Sequence, residues 1–191
     1  MTDDTDTYLT AQLQSVSGPS TARTGHDIKL RLPDKADASS IHRLIEQCPP
    51  LDLNSIYTYL LLSEHFAQTC VVADGPQGLD GYASSYIPPN KPDVLFVWQV
   101  AVHERARGQS LGRRMLSELL ARPQLTHIRF IETTVGPDNT ASRRMFNGLA
   151  QRFQAQVAES ALFDSHLFGD SGHEDERLIR IGPLSLSPPD T

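Results

Sequence analysis

Two cysteines in 191 residues, Cys48 and Cys70, are too few to build a disulfide framework, and neither belongs to a Cys-x-x-Cys pair. No HExxH or paired CxxC spacing is present, and the loop that gathers His166, Asp170, His173, Glu174 and Asp175 matches no metal-ligand pattern, so no metal is expected. No apolar run approaches the ~20 residues needed to span a bilayer. The first 25 residues, rich in Thr, Ser, Asp and Gln, lack the basic start and apolar stretch of a secretion signal. Positive charge is also in deficit: 17 Lys and Arg stand against 23 Asp and Glu, a formal charge of −6. Nucleic-acid binding needs clustered cations and is excluded as a general function, whereas a small cationic substrate suits the sign. These absences describe a cytoplasmic, membrane-free chain with free thiols.

What is present amounts to one domain of residues 26–184, with a disordered tail at 1–25 and another tail at 185–191. Ile28, Leu30 and Leu32 alternate like a strand that Pro33 ends. Asp37 then caps a helix with Ile41, Leu44, Ile45 and Cys48 on one face, which Pro49 and Pro50 stop. A second helix covers Ser55 to Phe66, with Asp52 or Asn54 as its cap. Val71 to Ala73 and Tyr82 to Ile87 are paired strands. Ile128 to Val135 is a fifth strand and leads through Gly136-Pro137-Asp138 to a helix burying Ala141, Met145, Phe146 and Leu149. Arg152 to Glu159 is an ambiguous strand, Asp164 to Asp175 a polar loop, and Leu178 to Ile181 the last strand. The order is β-α-α-β-β-β-α-β-α-β-β.

The chain is organised around Val94 to Gly112. Val94 to Val102 is β-branched and aromatic with Gln99 as its only polar interruption, and it reads as a strand buried on both faces. After His103 and Glu104, a turn with Arg105, Arg107 and Gly108 feeds a helix whose apolar face is Leu111, Met115, Leu116, Leu119 and Leu120. Free N–H groups at a helix start, approached across a glycine, form an anion site suited to pyrophosphate. The loop is no P-loop, for it lacks Gly-Lys-Ser/Thr, and no dinucleotide site, for it lacks the three-glycine spacing.

With Arg105, Gly108 and Ser110 on its three fixed positions, this loop resembles the [Gln/Arg]-x-x-Gly-x-[Gly/Ala] signature of the GNAT family, the GCN5-related N-acetyltransferases. Ser110 departs from Gly/Ala but is small. The later stretch Asn139 to Phe146 is similar to the family's Asn-x-x-Ala-x-x-x-Tyr, with Ser142 for Ala and Phe146 for Tyr. The resemblance implies an α/β fold with a mixed sheet flanked by helices, strands 4 and 5 splaying apart to admit acetyl-CoA. It places the cofactor on Val100, Val102, Arg105, Arg107, Gly108 and Ser110, continuing to Leu111, Gly112, Arg113, Asn139, Ser142 and Phe146. Taken without the family, Asn139 is a helix cap and Phe146 plain core; phenylalanine has no proton for a departing thiolate.

A closer resemblance rests on Pro50 to Ser55, Tyr57, Tyr59-Leu60-Leu61, His65-Phe66, Phe96 to Val102 and His173-Glu174. Each motif is weak alone, but as an ordered set they resemble the L-2,4-diaminobutyrate acetyltransferases of ectoine biosynthesis. That family implies transfer of acetyl to the γ-amine of diaminobutyrate by direct attack, in a homodimer. Asp52, Asn54, Tyr57, Trp98 and His173 become acceptor-binding candidates; a cap, a helix-surface tyrosine and a core indole are the structural alternatives for Asp52, Tyr57 and Trp98. An amine of pKa ~10.4 must be deprotonated at a cost of about 4 kcal/mol at pH 7, for which His173, Glu174 and Glu176 are candidate bases. Backbone N–H groups from Val100 to Val102 would polarise the thioester carbonyl. Acetylation of another small amine or a peptide amine, and a non-catalytic acyl-CoA-binding module, are the competing readings.

Overall fold

The computed structural model describes residues 28–171 and 175–185, the side chains of 170 and 171 excepted. The expected N-terminal tail, and all but the first residue of the C-terminal one, lie outside the described residues. Seven strands, β1 (Lys29–Arg31), β2 (Val71–Gly75), β3 (Gly78–Tyr86), β4 (Val94–Val102), β5 (Phe130–Thr134), β6 (Val157–Phe163) and β7 (Glu176–Ile181), form one sheet in the order β1-β2-β3-β4-β5-β7-β6. Only β4 and β5 pair in parallel. With helices α1 (Ala38–Glu46), α2 (Ile56–His65), α3 (Leu111–Leu120) and α4 (Thr140–Arg152), the element order is the one the periodicities predict.

Each face of the sheet has its own core. Leu111, Met115, Leu116 and Leu119 of α3 and Phe146 and Leu149 of α4 pack against Leu95, Val97 and Ile131. On the opposite face Ile41, Leu44 and Ile45 of α1 and Tyr59 and Leu62 of α2 meet Val72, Tyr82 and Ala101. Burial of each large aliphatic side chain contributes roughly 1.5–3 kcal/mol, so these two layers fix where the helices begin.

The expected helix caps are both displaced. Asp37 makes no side-chain cap bond at the start of α1. Asp34 caps the preceding 3-10 turn, accepting from Ala36 N at 2.7 Å, while the Asp37 carboxylate reaches back to Asp34 N at 2.9 Å. Arg31 donates to both Asp37 oxygens, at 2.7 and 2.9 Å, and holds that carboxyl below the usual range. For α2 the cap is Ser55, whose hydroxyl accepts from Thr58 N at 3.3 Å. Neither Asp52 nor Asn54 is adjacent enough to do so.

Two bulges shape the centre of the sheet. Between β2 and β3 the register steps from Ala73↔Gly81 to Asp74↔Leu79, leaving Asp80 as the extra residue. Between β3 and β4 it steps from Ser84↔Gln99 to Ser85↔Val97, and Trp98 is extra. An inserted residue reverses the side-chain alternation beyond it. Thus Leu95 and Val97 face the α3/α4 core but Ala101, an even number of residues onward, faces the α1/α2 core. The expectation of a strand buried on both faces fails at the bulge, where Trp98 is 41% exposed. Pairing of β4 with β5 also stops there, at Val97↔Thr133, whereas β5 goes on with β7 to Thr134↔Leu178. The two central strands therefore splay, and the β5-side edge of β4 from Trp98 to Val102 opens into a cleft.

Candidate active site

The turn after β4 is tied down by an ion pair whose carboxylate is buried. Asp80, on the β3 bulge, is 1% exposed and its carboxylate accepts from Arg105 Nε. Arg105 also donates to Leu79 O at 3.1 Å, and His103 N donates to Asp80 O at 2.9 Å. Arg105 was expected to meet phosphate; instead its charge is neutralised by Asp80 and it moors the loop, which leaves Arg107 as the cation facing the cavity.

Gly108 has φ +77°, a left-handed conformation glycine adopts without cost, and a Cβ built on it meets nothing within 4 Å. Space is open there for a ligand to approach the backbone. Ser110 at φ 57° and ψ 23° is also left-handed. Its departure from Gly/Ala is therefore a matter of backbone strain, about 1–2 kcal/mol, rather than of room alone. Ser110 makes no side-chain cap bond, so the first N–H groups of α3 are left without a side-chain cap where the helix start lines the cleft.

A cavity of about 380 Å³ follows this loop. Val100 and Val102 line it from the free edge of β4; Arg107, Gly108, Ser110, Leu111 and Gly112 line it from the loop and α3; Asn139 and Ser142 from the start of α4. Asn139 is at once a cap, accepting from Ser142 N at 3.0 Å, and a wall. Arg113 lies outside this cavity, beside a neighbouring depression it shares with Arg114 and Arg152, and donates to the Ser110 hydroxyl. Phe146 is 4% exposed within the α3/α4 core and does not line the cavity, so core packing is its role.

A second cavity of about 630 Å³ lies on the other side of the splay and shares Pro50, Leu51, Asn139 and Ala141 with the first. Trp98, Gln99, Thr134 and Val135 border it, and among the described residues its charged groups are all acidic: Asp52, Asp138, Asp175 and Glu176. Asp175 accepts from Ser165 N at 2.7 Å, and that N–H holds its carboxyl below the ordinary range. Of the acceptor candidates, Asp52 and Trp98 are brought here, together with Glu176, one of the candidate bases. Asn54 and Tyr57 are not: Tyr57 projects from α2, 67% exposed, and Asn54 N donates to Tyr59 Oη at 3.3 Å. His173 and Glu174 lie outside the described residues.

Several lining residues escaped the sequence reading. Cys48 and Pro49 read as the end of a helix, and Pro50 and Leu51 as part of a motif that carries the family resemblance, yet the chain there bridges both cavities. Met145 was assigned to the core but flanks the first cavity and packs so closely on Gly112 that a Cβ there would lie 2.4 Å from its sulfur. Asp138, read as a turn residue, supplies a carboxylate to the second cavity. Gln99 carried the clearest overlooked signal, a lone amide in an apolar strand.

Residues 38–149 match the model of the Acetyltransferase (GNAT) family. The L-2,4-diaminobutyric acid acetyltransferase of Bordetella parapertussis is 55% identical over 175 residues, covering 91% of this chain and 92% of the relative, and that of Halomonas elongata is 42% identical, covering 85% and 86%. Among solved structures, the diaminobutyrate acetyltransferase EctA of Paenibacillus lautus, in complex with L-2,4-diaminobutyric acid and coenzyme A, superposes with a TM-score of 0.80 at 39% identity, covering 83% of this chain and 96% of that one. Family match, identity along nearly the whole chain and shared fold agree with the splayed cleft and its two cavities: the chain belongs to the GNAT acetyltransferases and, within them, to the family of L-2,4-diaminobutyric acid acetyltransferases.

Proposed function

We propose that this protein transfers acetyl from acetyl-CoA to the γ-amine of L-2,4-diaminobutyrate, the step that supplies the precursor for ectoine cyclisation. One observation carries the reading beyond the family match: the splay joins a cavity rimmed by the start of α3 and Arg107 to a cavity whose charged groups, among the described residues, are all carboxylates. The first suits a pyrophosphate and its pantetheine arm; the second suits a substrate with two ammonium groups.

Acetyl-CoA enters with its pyrophosphate on the Gly108–Gly112 turn and its arm along the free edge at Val100 and Val102. Arg113, with Arg114 and Arg152 beside it, offers charge to the phosphate on the adenosine end. Backbone N–H groups of that free edge polarise the thioester carbonyl and hold the oxyanion. The γ-amine, freed of its proton by Glu176 or by His173 or Glu174, attacks from the acidic side. Asp175, kept ionised by Ser165, serves as fixed charge rather than as base. The tetrahedral intermediate collapses to the amide and CoA thiolate. A thiol pKa of ~8.5 lets that thiolate leave without the donor that Phe146 cannot be. Cys48 and Cys70 are buried with pKa values raised by burial, which suits direct transfer without an acyl-enzyme. No helix of the described residues is long and apolar enough to cross a membrane. Strand β6 is exposed along its whole length, with Val157, Leu162 and Phe163 38–46% exposed, which supports a homodimer.

The direct test is release of free thiol from acetyl-CoA with a panel of amines, and location of the new amide by NMR. Diaminobutyrate acetylated on the γ-nitrogen is expected to be the preferred product; equal rates with peptide amines, or no turnover, would overturn the assignment. The loop has its own test. Gly108→Leu places a side chain in the space left for phosphate and strains φ, so acetyl-CoA affinity should fall at least about fivefold while the protein stays folded, the equivalent of one lost phosphate hydrogen bond. Calorimetry giving unchanged affinity would move the pyrophosphate elsewhere.

A further inference from the structure

Gln99 is the lone polar side chain of β4, and it is 4% exposed. The Trp98 bulge directs it to the α1/α2 face, beneath the segment between Pro50 and α2. There its carboxamide is committed at both ends. Nε2 donates to Asp52 O at 2.7 Å, and Oε1 accepts from Tyr59 Oη at 3.5 Å. Tyr59 is 0% exposed, and its hydroxyl oxygen accepts from Asn54 N at 3.3 Å. Residues 52–55 lie outside any helix or strand. One glutamine and one tyrosine thus fasten two alternate backbone groups of an otherwise irregular segment onto the strand that carries the reaction edge.

We infer that Gln99 is a positioning residue for acceptor recognition: through its bond to the Asp52 carbonyl, backed by Tyr59, it fixes where the Asp52 carboxylate stands in the second cavity and thereby sets selectivity for a doubly cationic acceptor. The inference rests on the reading of Asp52 as the acceptor's anionic partner. A glutamine is needed because the site requires one donor and one acceptor on a planar group about the length of its stem. Methionine fills similar volume without either. A carbonyl left without its buried donor frees the segment to shift, and an acceptor bound through one carboxylate is sensitive to a displacement of an ångström.

The test compares the wild type with Gln99→Met, Asp52→Asn and the double variant, on diaminobutyrate and on 4-aminobutyrate, which lacks the α-amine. Gln99→Met is expected to raise KM for diaminobutyrate about fivefold and to lower its preference over 4-aminobutyrate, with KM for acetyl-CoA unchanged. In the Asp52→Asn background it should cause no further loss of preference, the signature of two residues acting as one unit. Losses that multiply, or a fall in kcat/KM equal for both acceptors, would overturn the inference and assign Gln99 to packing alone. Should Gln99→Met fail to fold, Tyr59→Phe removes the other end of the relay and should shift the same preference about two- to threefold; an unchanged preference overturns the inference equally. If Asp52→Asn alone keeps full preference, the reading of Asp52 fails and takes the inference with it, an outcome distinct from failure of Gln99→Met beside a responsive Asp52→Asn.

Discussion

Arg105→Leu is expected to lower folding stability by about 3–5 kcal/mol, the cost of leaving the buried carboxylate of an ion pair without its partner. For a chain of this size that corresponds to a fall in Tm of roughly 6–20 °C. The reason lies with Asp80, which is 1% exposed on the β3 bulge and would be left without its guanidinium partner. The comparison that isolates this cause is Arg105→Leu with Asp80→Leu, which removes both charges and should regain much of the loss. Arg107→Leu, an exposed cation at the cavity rim, should leave stability within about 0.5 kcal/mol while weakening acetyl-CoA binding. Thermal melts of the four proteins decide it. An Arg105→Leu protein as stable as the wild type, but deficient in acetyl-CoA binding, would return Arg105 to the phosphate.

Arg105 also shows what a signature can and cannot give. Its place in the family pattern was legible, and so was the positive charge of the turn, but the partner that consumes this charge stands 25 residues earlier in the chain, on a bulge. Bulges leave little trace in sequence, because one inserted residue alters register without altering composition. The same blindness hid the exposure of Trp98 and the inward turn of Gln99, since counting residues along β4 predicts the opposite faces. Elements with long apolar periodicity fared better: α3, β4 and β5 were readable from Leu111 to Leu120, Val94 to Val102 and Ile128 to Val135, for their burial patterns repeat over many residues. The cofactor side of the site came with them, because a strand, a glycine turn and a helix start are contiguous. The acceptor side did not. The second cavity takes its lining from Asp52, Trp98, Asp138 and Glu176, which belong to four separate segments, and the family resemblance drew only Asp52 and Trp98 of them together. Asn54 and Tyr57 were drawn in by neighbourhood in sequence, but α2 turns Tyr57 outward.

The structure sharpens what Asp52 should do. As long as Asp52 was a possible helix cap, a silent Asp52→Asn variant had a structural explanation, since asparagine caps almost as well as aspartate. Ser55 takes that role, and Gln99 holds the Asp52 backbone through a carbonyl that the substitution does not alter. The change therefore removes one negative charge from the rim of the second cavity and leaves the backbone anchor of the segment in place. Diaminobutyrate carries two ammonium groups and a carboxylate at neutral pH, and acetylation of the γ-amine alone requires the α-ammonium to be held away from the thioester. A charge-assisted hydrogen bond to that ammonium, closed off from water once the acceptor fills the cavity, contributes roughly 1.5–3 kcal/mol, or about ten- to a hundredfold in kcat/KM. Asp52→Asn is accordingly expected to keep its Tm and its acetyl-CoA affinity, to lose at least about tenfold in kcat/KM for diaminobutyrate, and to lose far less for 4-aminobutyrate, which has no α-ammonium to bind. Steady-state kinetics on the two acceptors, with melting curves as the control, give the answer. Equal losses on both would mean that Asp52 acts on the reacting amine common to them, and equal kinetics of the two proteins would leave the α-ammonium to Asp138 or Glu176.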